Sequence, residues 1–246
     1  LSFVILWLGK NNMELQNIIK GTLIKRYKRF LADIRLDDGN VITAHCPNSG
    51  SMLGLKDEGL QVYVRHTPKE DGLQYKLEFV QAKTGALVCI NTLYANKVVA
   101  EALQEQQIEG LFNYETFLAE QKFVEAKTNT RFDFKLENIQ QKGFLEVKSV
   151  TLLREEGLAE FPDAKTDRGS KHLIELMQAK QLGYAAYNLY LVLREDVKEF
   201  SIAKDIDPAY YNNFIMAKNA GVGFLCYGCK VSINGINFHR KIDIKY

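Results

Sequence analysis

The sequence predicts an α/β chain of the α+β kind, a small N-terminal β-barrel of the OB type followed by a mixed sheet with flanking helices. Three observations predict it. Residues 13–92 read as short strand-like runs separated by turn residues. After Asn91 the apolar period lengthens to that of a helix. Residues 131–136 and 144–150 then form two alternating segments close enough to pair as a hairpin.

In the first part, strands are expected at 21–25, 31–36, 41–46, 60–66, 75–82 and 86–91. Asp38-Gly39 between the second and third is a hairpin signal, because the turn favours positive φ. Several short strands in about 75 residues fit a five-stranded barrel. The domains expected are therefore 13–92, OB-like, and 93–246, α/β.

In the second part, Val98, Val99, Ala102 and Leu103 place a helix over 96–107. Strands follow near 121–126, 131–136 and 144–151. A second helix is expected over 170–182, with Ser170 as N-cap and Gly183 after its last turn. The apolar run 185–193 suits a buried central strand. A third helix starts near Asp207-Pro208 and stops at Gly221, and a strand over 222–228 and a hairpin around Asn234-Gly235 end the chain.

The 246 residues are 46% hydrophobic and 25% charged, the composition of a globular chain with a real core. A net charge of +2 excludes a chain basic throughout, so any nucleic-acid surface must be local. Cys46, Cys89, Cys226 and Cys229 are too few and too unevenly spaced for a disulfide framework, and the reducing cytoplasm is the expected compartment. Leu1 to Leu8 is mostly apolar but too short to span a bilayer, and it lacks a basic n-region. Met13-Glu14-Leu15 reads as a better start. Residues 1–12 are expected to be an unstructured extension, with a short membrane or partner anchor as the alternative.

The chemistry is expected in the pair of segments at 131–150. Glu146 and Lys148 stand two apart, hence on one strand face about 7 Å from each other, and a hairpin brings Asp133 to them. Two carboxylates and an ammonium can hold Mg²⁺ beside a phosphate, with Asp133 and Glu146 as oxygen ligands and Lys148 orienting water or stabilising an oxyanion. Glu101, on the preceding helix, is the candidate third acid, although it lies away from that helix's apolar stripe. Glu-x-Lys alone says little, since Glu125-Ala126-Lys127 repeats it. What distinguishes the copy at 146–148 is its apolar strand, with Phe144 and Val150 on the same face. The alternative is a solvated strand face with an ordinary charge cluster.

Candidate nucleic-acid contacts fall in three places. Residues 20–35 carry six cations against one acid, including Lys25, Arg26, Lys28 and Arg29, with Tyr27 and Phe30 interleaved for stacking; a solvated edge strand is the alternative. The turn His45-Cys46-Pro47-Asn48-Ser49-Gly50-Ser51-Met52 offers donors that can cradle a phosphate, His45, Asn48, Ser49 and Ser51 among them. Arg168, Lys171 and His172 gather at a helix start, where backbone N–H groups already favour anions. Cys226-Tyr227-Gly228-Cys229 lacks a second ligand pair and reads as structural.

The segments 21–33, 45–52, 131–134, 146–152 and 168–173, together with Gly85-Ala86-Leu87-Val88 and Phe161-Pro162-Asp163-Ala164, resemble the sugar fermentation stimulation protein A family over about residues 13–240. Ser49 stands where that family's Pro-Asn-Thr-Gly-Ser-Met loop has threonine, keeping the hydroxyl. The resemblance implies an OB-like domain, a PD-(D/E)xK nuclease-like domain with Asp133, Glu146 and Lys148 at its site positions, non-specific DNA binding, and a regulatory role in sugar, notably maltose, metabolism. Two functions are open. One is a DNA-binding regulator. The other is a Mg²⁺-dependent nuclease on DNA or RNA. A metabolic enzyme or scaffold unrelated to nucleic acid is a third, and no membrane partner is expected.

Overall fold

The computed structural model describes residues 13–68, 71–124 and 130–246. The extension at 1–12, the Glu-x-Lys copy at 125–127 and the end of the strand expected at 121–126 lie outside the described residues.

After a two-residue strand β1 (Met13–Glu14), the barrel is built from β2 (Ile18–Tyr27), β3 (Leu31–Leu36), β4 (Val41–His45), β5 (Gln61–His66), β6 (Tyr75–Gln81) and β7 (Leu87–Cys89). Strands β4-β3-β2-β5-β6 are neighbours in that order, and a parallel β4–β6 pairing closes the cylinder. Alternate residues such as Ala32, Ile34, Val62 and Val64 point inward to a core of their own. β2 runs to Tyr27, beyond the end expected near residue 25, because it turns tightly into β3 through Lys28 and Arg29, both at positive φ (48° and 66°).

The second part comprises α1 (Tyr94–Gln104), β8 (Thr116–Lys122), β9 (Arg131–Glu137), β10 (Lys142–Val150), β11 (Leu152–Glu155), β12 (Gly157–Phe161), α2 (Asp167–Gln181), β13 (Ala185–Val192), β14 (Val197–Ile202), α3 (Pro208–Asn219), β15 (Gly223–Ser232), β16 (Gly235–Lys241) and β17 (Asp243–Lys245). The main sheet has seven strands in the order β1-β16-β15-β13-β10-β9-β8, with β10, β13 and β15 parallel at its centre. One face packs on α1 and the barrel residue Phe79; the other packs on α2 and α3.

A second sheet, β11-β12-β14-β17, is an addition to the sequence reading. Its strands are short, and its charged residues find partners only across space. Arg154 of β11, for example, forms forked hydrogen bonds to Glu160 and Asp205. α2 starts three residues before the expected Ser170. Its N-cap is Thr166, whose Oγ1 accepts from Gly169 N at 3.0 Å. α3 starts at Pro208 as expected; Asp207 caps it, accepting from Tyr210 N, and its other carboxylate oxygen accepts from Thr166 N, tying the two helix starts together. No helix among the described residues is long and apolar enough to cross a membrane. All four cysteines are free and buried, with Cys226 and Cys229 in the cores on opposite sides of the main sheet, so they cannot share a metal.

Candidate functional site

β9 and β10 pair as an antiparallel hairpin up to Leu145↔Phe134. The next step would set Glu146 opposite Asp133, and there the ladder stops. Asp133 and Glu120, the latter at φ +53°, also drop out of the β8–β9 pairing. The alternation breaks at the same point: Phe134 and Leu136 belong to the core under α1, whereas Phe132 belongs to the core under α2. The Asp133 carboxylate takes the place of the missing strand bond, accepting from Val147 N (2.7 Å) and from Asn96 Nδ2 of α1 (2.7 Å).

Glu146 is buried (3% exposed) on the α2 face of the sheet. Its Oε1 accepts from Lys148 Nζ at 2.6 Å and meets His172 Nδ1 of α2, and Lys148 Nζ lies 3.2 Å from the same ring nitrogen. Nδ1 cannot both donate to Glu146 and accept from Lys148, so the proton between His172 and Glu146 leaves Lys148 bonded to the carboxylate. Glu146 Oε2 is buried and has no hydrogen-bond partner among the described residues.

The two acids differ in their proton affinity. Burial pushes the Asp133 carboxyl up, and the neighbouring Glu146 charge pushes it further, to about 6, despite the bonds from Val147 and Asn96. Burial would raise Glu146 too, but Lys148 and His172 together outweigh it and hold the group below its ordinary value. The site therefore keeps one firmly ionised carboxylate beside one that titrates close to neutrality.

Three expected residues, Asp133, Glu146 and Lys148, are thus brought together, and a fourth joins them from an unexpected direction. The sequence groups His172 with Arg168 and Lys171 as a candidate phosphate contact at a helix start. The helix register instead buries it (5% exposed) on the stripe of Leu173, Leu176 and Ala179, over Glu146. That stripe is the sequence signal that could have placed it. Glu101 has Glu105 and Lys97 of its own helix as electrostatic neighbours, and the α1 side chain that reaches Asp133 is Asn96. Nothing in the spacing singled out Asn96.

The basic barrel residues are largely engaged by the protein itself. Arg26 donates to the carbonyls of Arg29, Asn48 and Gly50, and Arg29 donates to the carbonyl of Ser49. Lys25 pairs with Asp33 at 3.3 Å, and Tyr27 and Thr43 donate to the same carboxylate. Lys28 and Arg168 are exposed, and Lys171 is exposed with Glu175 at 3.8 Å. His45 is the half-buried last residue of β4, opposite Leu31.

The 45–52 turn is braced rather than open. Asn48 Oδ1 accepts from Gly50 N, Met52 N donates to Asp163, and a Cβ at Gly50 would overlap the Asp163 carboxylate. The hydroxyl of Ser51 is buried without a partner among the described residues. Thr92 bonds the Pro47 carbonyl and receives Ser149, so the turn is anchored beside the end of β10. Between them lies a cleft of about 300 Å³ lined by Arg29, Asn48 and Ser49 on one side and by Lys148, Thr151 and Lys165 on the other.

An OB barrel preceding a mixed sheet whose β9–β10 hairpin carries Asp and Glu-x-Lys defines a two-part protein of the PD-(D/E)xK nuclease-like fold class. The chain belongs to the sugar fermentation stimulation protein family. It matches the SfsA N-terminal OB domain over residues 24–90 and the sugar fermentation stimulation protein RE domain over 93–235. The sugar fermentation stimulation protein homolog of Pelagibacter ubique is 49% identical, over 92% of this chain and 96% of that one. The Jannaschia homolog is 44% identical, over 92% and 94%. The structure of Pyrococcus furiosus SfsA in complex with Ca²⁺ shares the fold, with a TM-score of 0.83 at 23% identity, covering 97% of this chain and all of that one.

Proposed function

We propose that this chain binds nucleic acid, and that its β9–β10 hairpin is a divalent-metal site for phosphodiester hydrolysis. The observation that carries the reading is the juxtaposition of two carboxylates beside one lysine, with Asp133 raised by burial and then by Glu146, and Glu146 Oε2 left without a partner among the described residues. A structural ion pair with Lys148 needs one acid. A second acid adds repulsion that a cation relieves.

Mg²⁺ fits the donors. It takes hard oxygen ligands, and in phosphate-processing sites it is held by one or two carboxylates while water and substrate complete the shell. Among the described residues no three His, Cys, Asp or Glu side chains come together as metal ligands, so the expected third acid, Glu101, does not complete the set with Asp133 and Glu146. Asp133 and Glu146 would hold the ion, which when bound polarises the phosphate and acidifies a water. Asn96 and Val147 N orient Asp133, Lys148 and His172 keep Glu146 ionised, and Lys148 lines the cleft. That the Pyrococcus furiosus relative was solved with Ca²⁺, another oxygen-seeking cation, supports a hard-metal site.

The test is incubation of the purified chain with end-labelled single- and double-stranded DNA and RNA in EDTA, Mg²⁺ or Mn²⁺, beside Asp133→Ala and Lys148→Ala. Metal-dependent cleavage that both variants lose is the expected result. Binding that persists in EDTA with no substrate cut would leave a DNA-binding regulator, the reading closest to the family's sugar-fermentation name.

A further inference from the structure

Asn188 lies in the middle of the apolar run that forms β13 and is fully buried (0% exposed). Neither its Oδ1 nor its Nδ2 has a hydrogen-bond partner among the described residues. Its register partner on β10 is Glu146. Aligned residues of neighbouring parallel strands share a face about 4.8 Å apart. The core assignments agree: Ala186 and Val192, in step with Asn188 along β13, pack with Phe144 and Val150, in step with Glu146, under α2.

The surroundings narrow what Asn188 can serve. Its partner on the other side, on β15, is Phe224. Its same-face neighbours along β13 are Ala186 and Tyr190, and the Tyr190 hydroxyl is already paired with that of Tyr210. Within these three strands the polar group beside Asn188 is Glu146, whose Oε2 is also unpartnered among the described residues. An amide with both ends unpaired in a core is costly, and a leucine would fill similar space without that cost. Where buried polar groups cluster, an ordered water commonly joins them, given two to four polar partners. Oε2, Oδ1 and Nδ2 supply three.

We infer that Asn188 is a positioning residue of the site: a buried water accepts from its Nδ2 and donates to Glu146 Oε2, which orients the carboxylate for the cation. This rests on the metal-site reading above and extends it one strand further into the sheet. Partners of this kind behind a metal ligand typically contribute about 10–100-fold in metal affinity.

The experiment is Mn²⁺ titration calorimetry on the full chain, unaltered and as Asp133→Ala and Asn188→Leu, with urea unfolding of each. Expected are Mn²⁺ binding by the unaltered chain, its loss in Asp133→Ala, and an Asn188→Leu protein at least as stable as the parent that binds Mn²⁺ about 10–100-fold more weakly. Asn188→Leu with parental Mn²⁺ affinity overturns the inference and leaves the metal site standing. An unaltered chain that binds no Mn²⁺ overturns both. Should Asn188→Leu fail to fold, a high-resolution crystal structure of the unaltered chain decides. A water within hydrogen-bond reach of Nδ2 and Glu146 Oε2 supports the inference, and a dry contact there overturns it.

Discussion

The arginines of the barrel hairpin and the carboxylates of the sheet hairpin stand in opposite conditions. Arg26 reaches three carbonyls and Arg29 a fourth, so their charge goes into bracing the 45–52 turn. Glu146 is buried, meets Lys148 and His172 through one oxygen, and has no partner for the other among the described residues, while Asp133 is pushed up by burial and by its neighbour. A charge count treats both regions alike. Both regions hold a buried polar atom without a partner among the described residues, Arg26 Nε in one and Glu146 Oε2 in the other, so what sets the sheet apart is the crowding of two acids, which the proposed cation would relieve.

The comparison can be broken most forcefully at the sheet. Removing the carboxylate in Asp133→Ala, or the ammonium in Lys148→Ala, is expected to lower metal-dependent cleavage by about 10²–10³-fold, the scale for deleting one group that stabilises developing charge, measured without urea at a temperature where each variant is folded, since Val147 N or Glu146 loses a partner and the urea midpoint falls. Cleavage unaffected in either variant would return the cluster to an ordinary buried ion pair.

At the barrel the expected effect is on stability. Arg26→Ala leaves the Asn48 and Gly50 carbonyls without their donor and should cost about 2 kcal/mol in urea unfolding, given charge-assisted bonds worth about 1.5–3 kcal/mol each and partial rescue by water. A variant of full stability that binds DNA much more weakly would instead make Arg26 a phosphate contact.

A smaller effect follows from pH. The Asp133 carboxyl is raised to about 6, and a metal needs it deprotonated. Mn²⁺ affinity should therefore be near its full value above pH 7 and fall as pH drops through about 6, approaching tenfold per unit below that. Calorimetry between pH 5 and 8 measures this, and a flat profile would separate Asp133 from the metal.

The smallest expected change is in salt dependence. With Lys25, Arg26 and Arg29 engaged internally, the exposed Lys28 and Arg168 are the candidate phosphate contacts. Each Lys28→Ala or Arg168→Ala change should reduce the slope of log K against log salt by about 1, whereas a slope unchanged in both would remove the nucleic-acid face from these two residues.

Much of the fold was legible because most elements announce themselves locally. The Asp38-Gly39 turn, the Asp207-Pro208 helix start and the alternation over 131–136 need no distant partner to be recognised. The sheet β11-β12-β14-β17 was not, since strands as short as Leu152–Glu155 and Asp243–Lys245 carry too few residues for a period and are defined by what lies beside them. Of the site, Asp133, Glu146 and Lys148 came from strand spacing, whereas Asn96 and His172 arrive from two helices on opposite faces of the sheet.

By itself the sequence determined the order of barrel and sheet, the hairpin at 131–150 and the acidic–basic pattern on it, because strand alternation and turn chemistry act over a few residues. Only the tertiary structure decided which charges are available. Whether an arginine meets a carbonyl 22 residues away, as Arg26 does at Asn48, or a glutamate has one oxygen without a partner among the described residues, depends on groups that the fold alone brings within bonding distance, where burial makes each met or unmet hydrogen bond count.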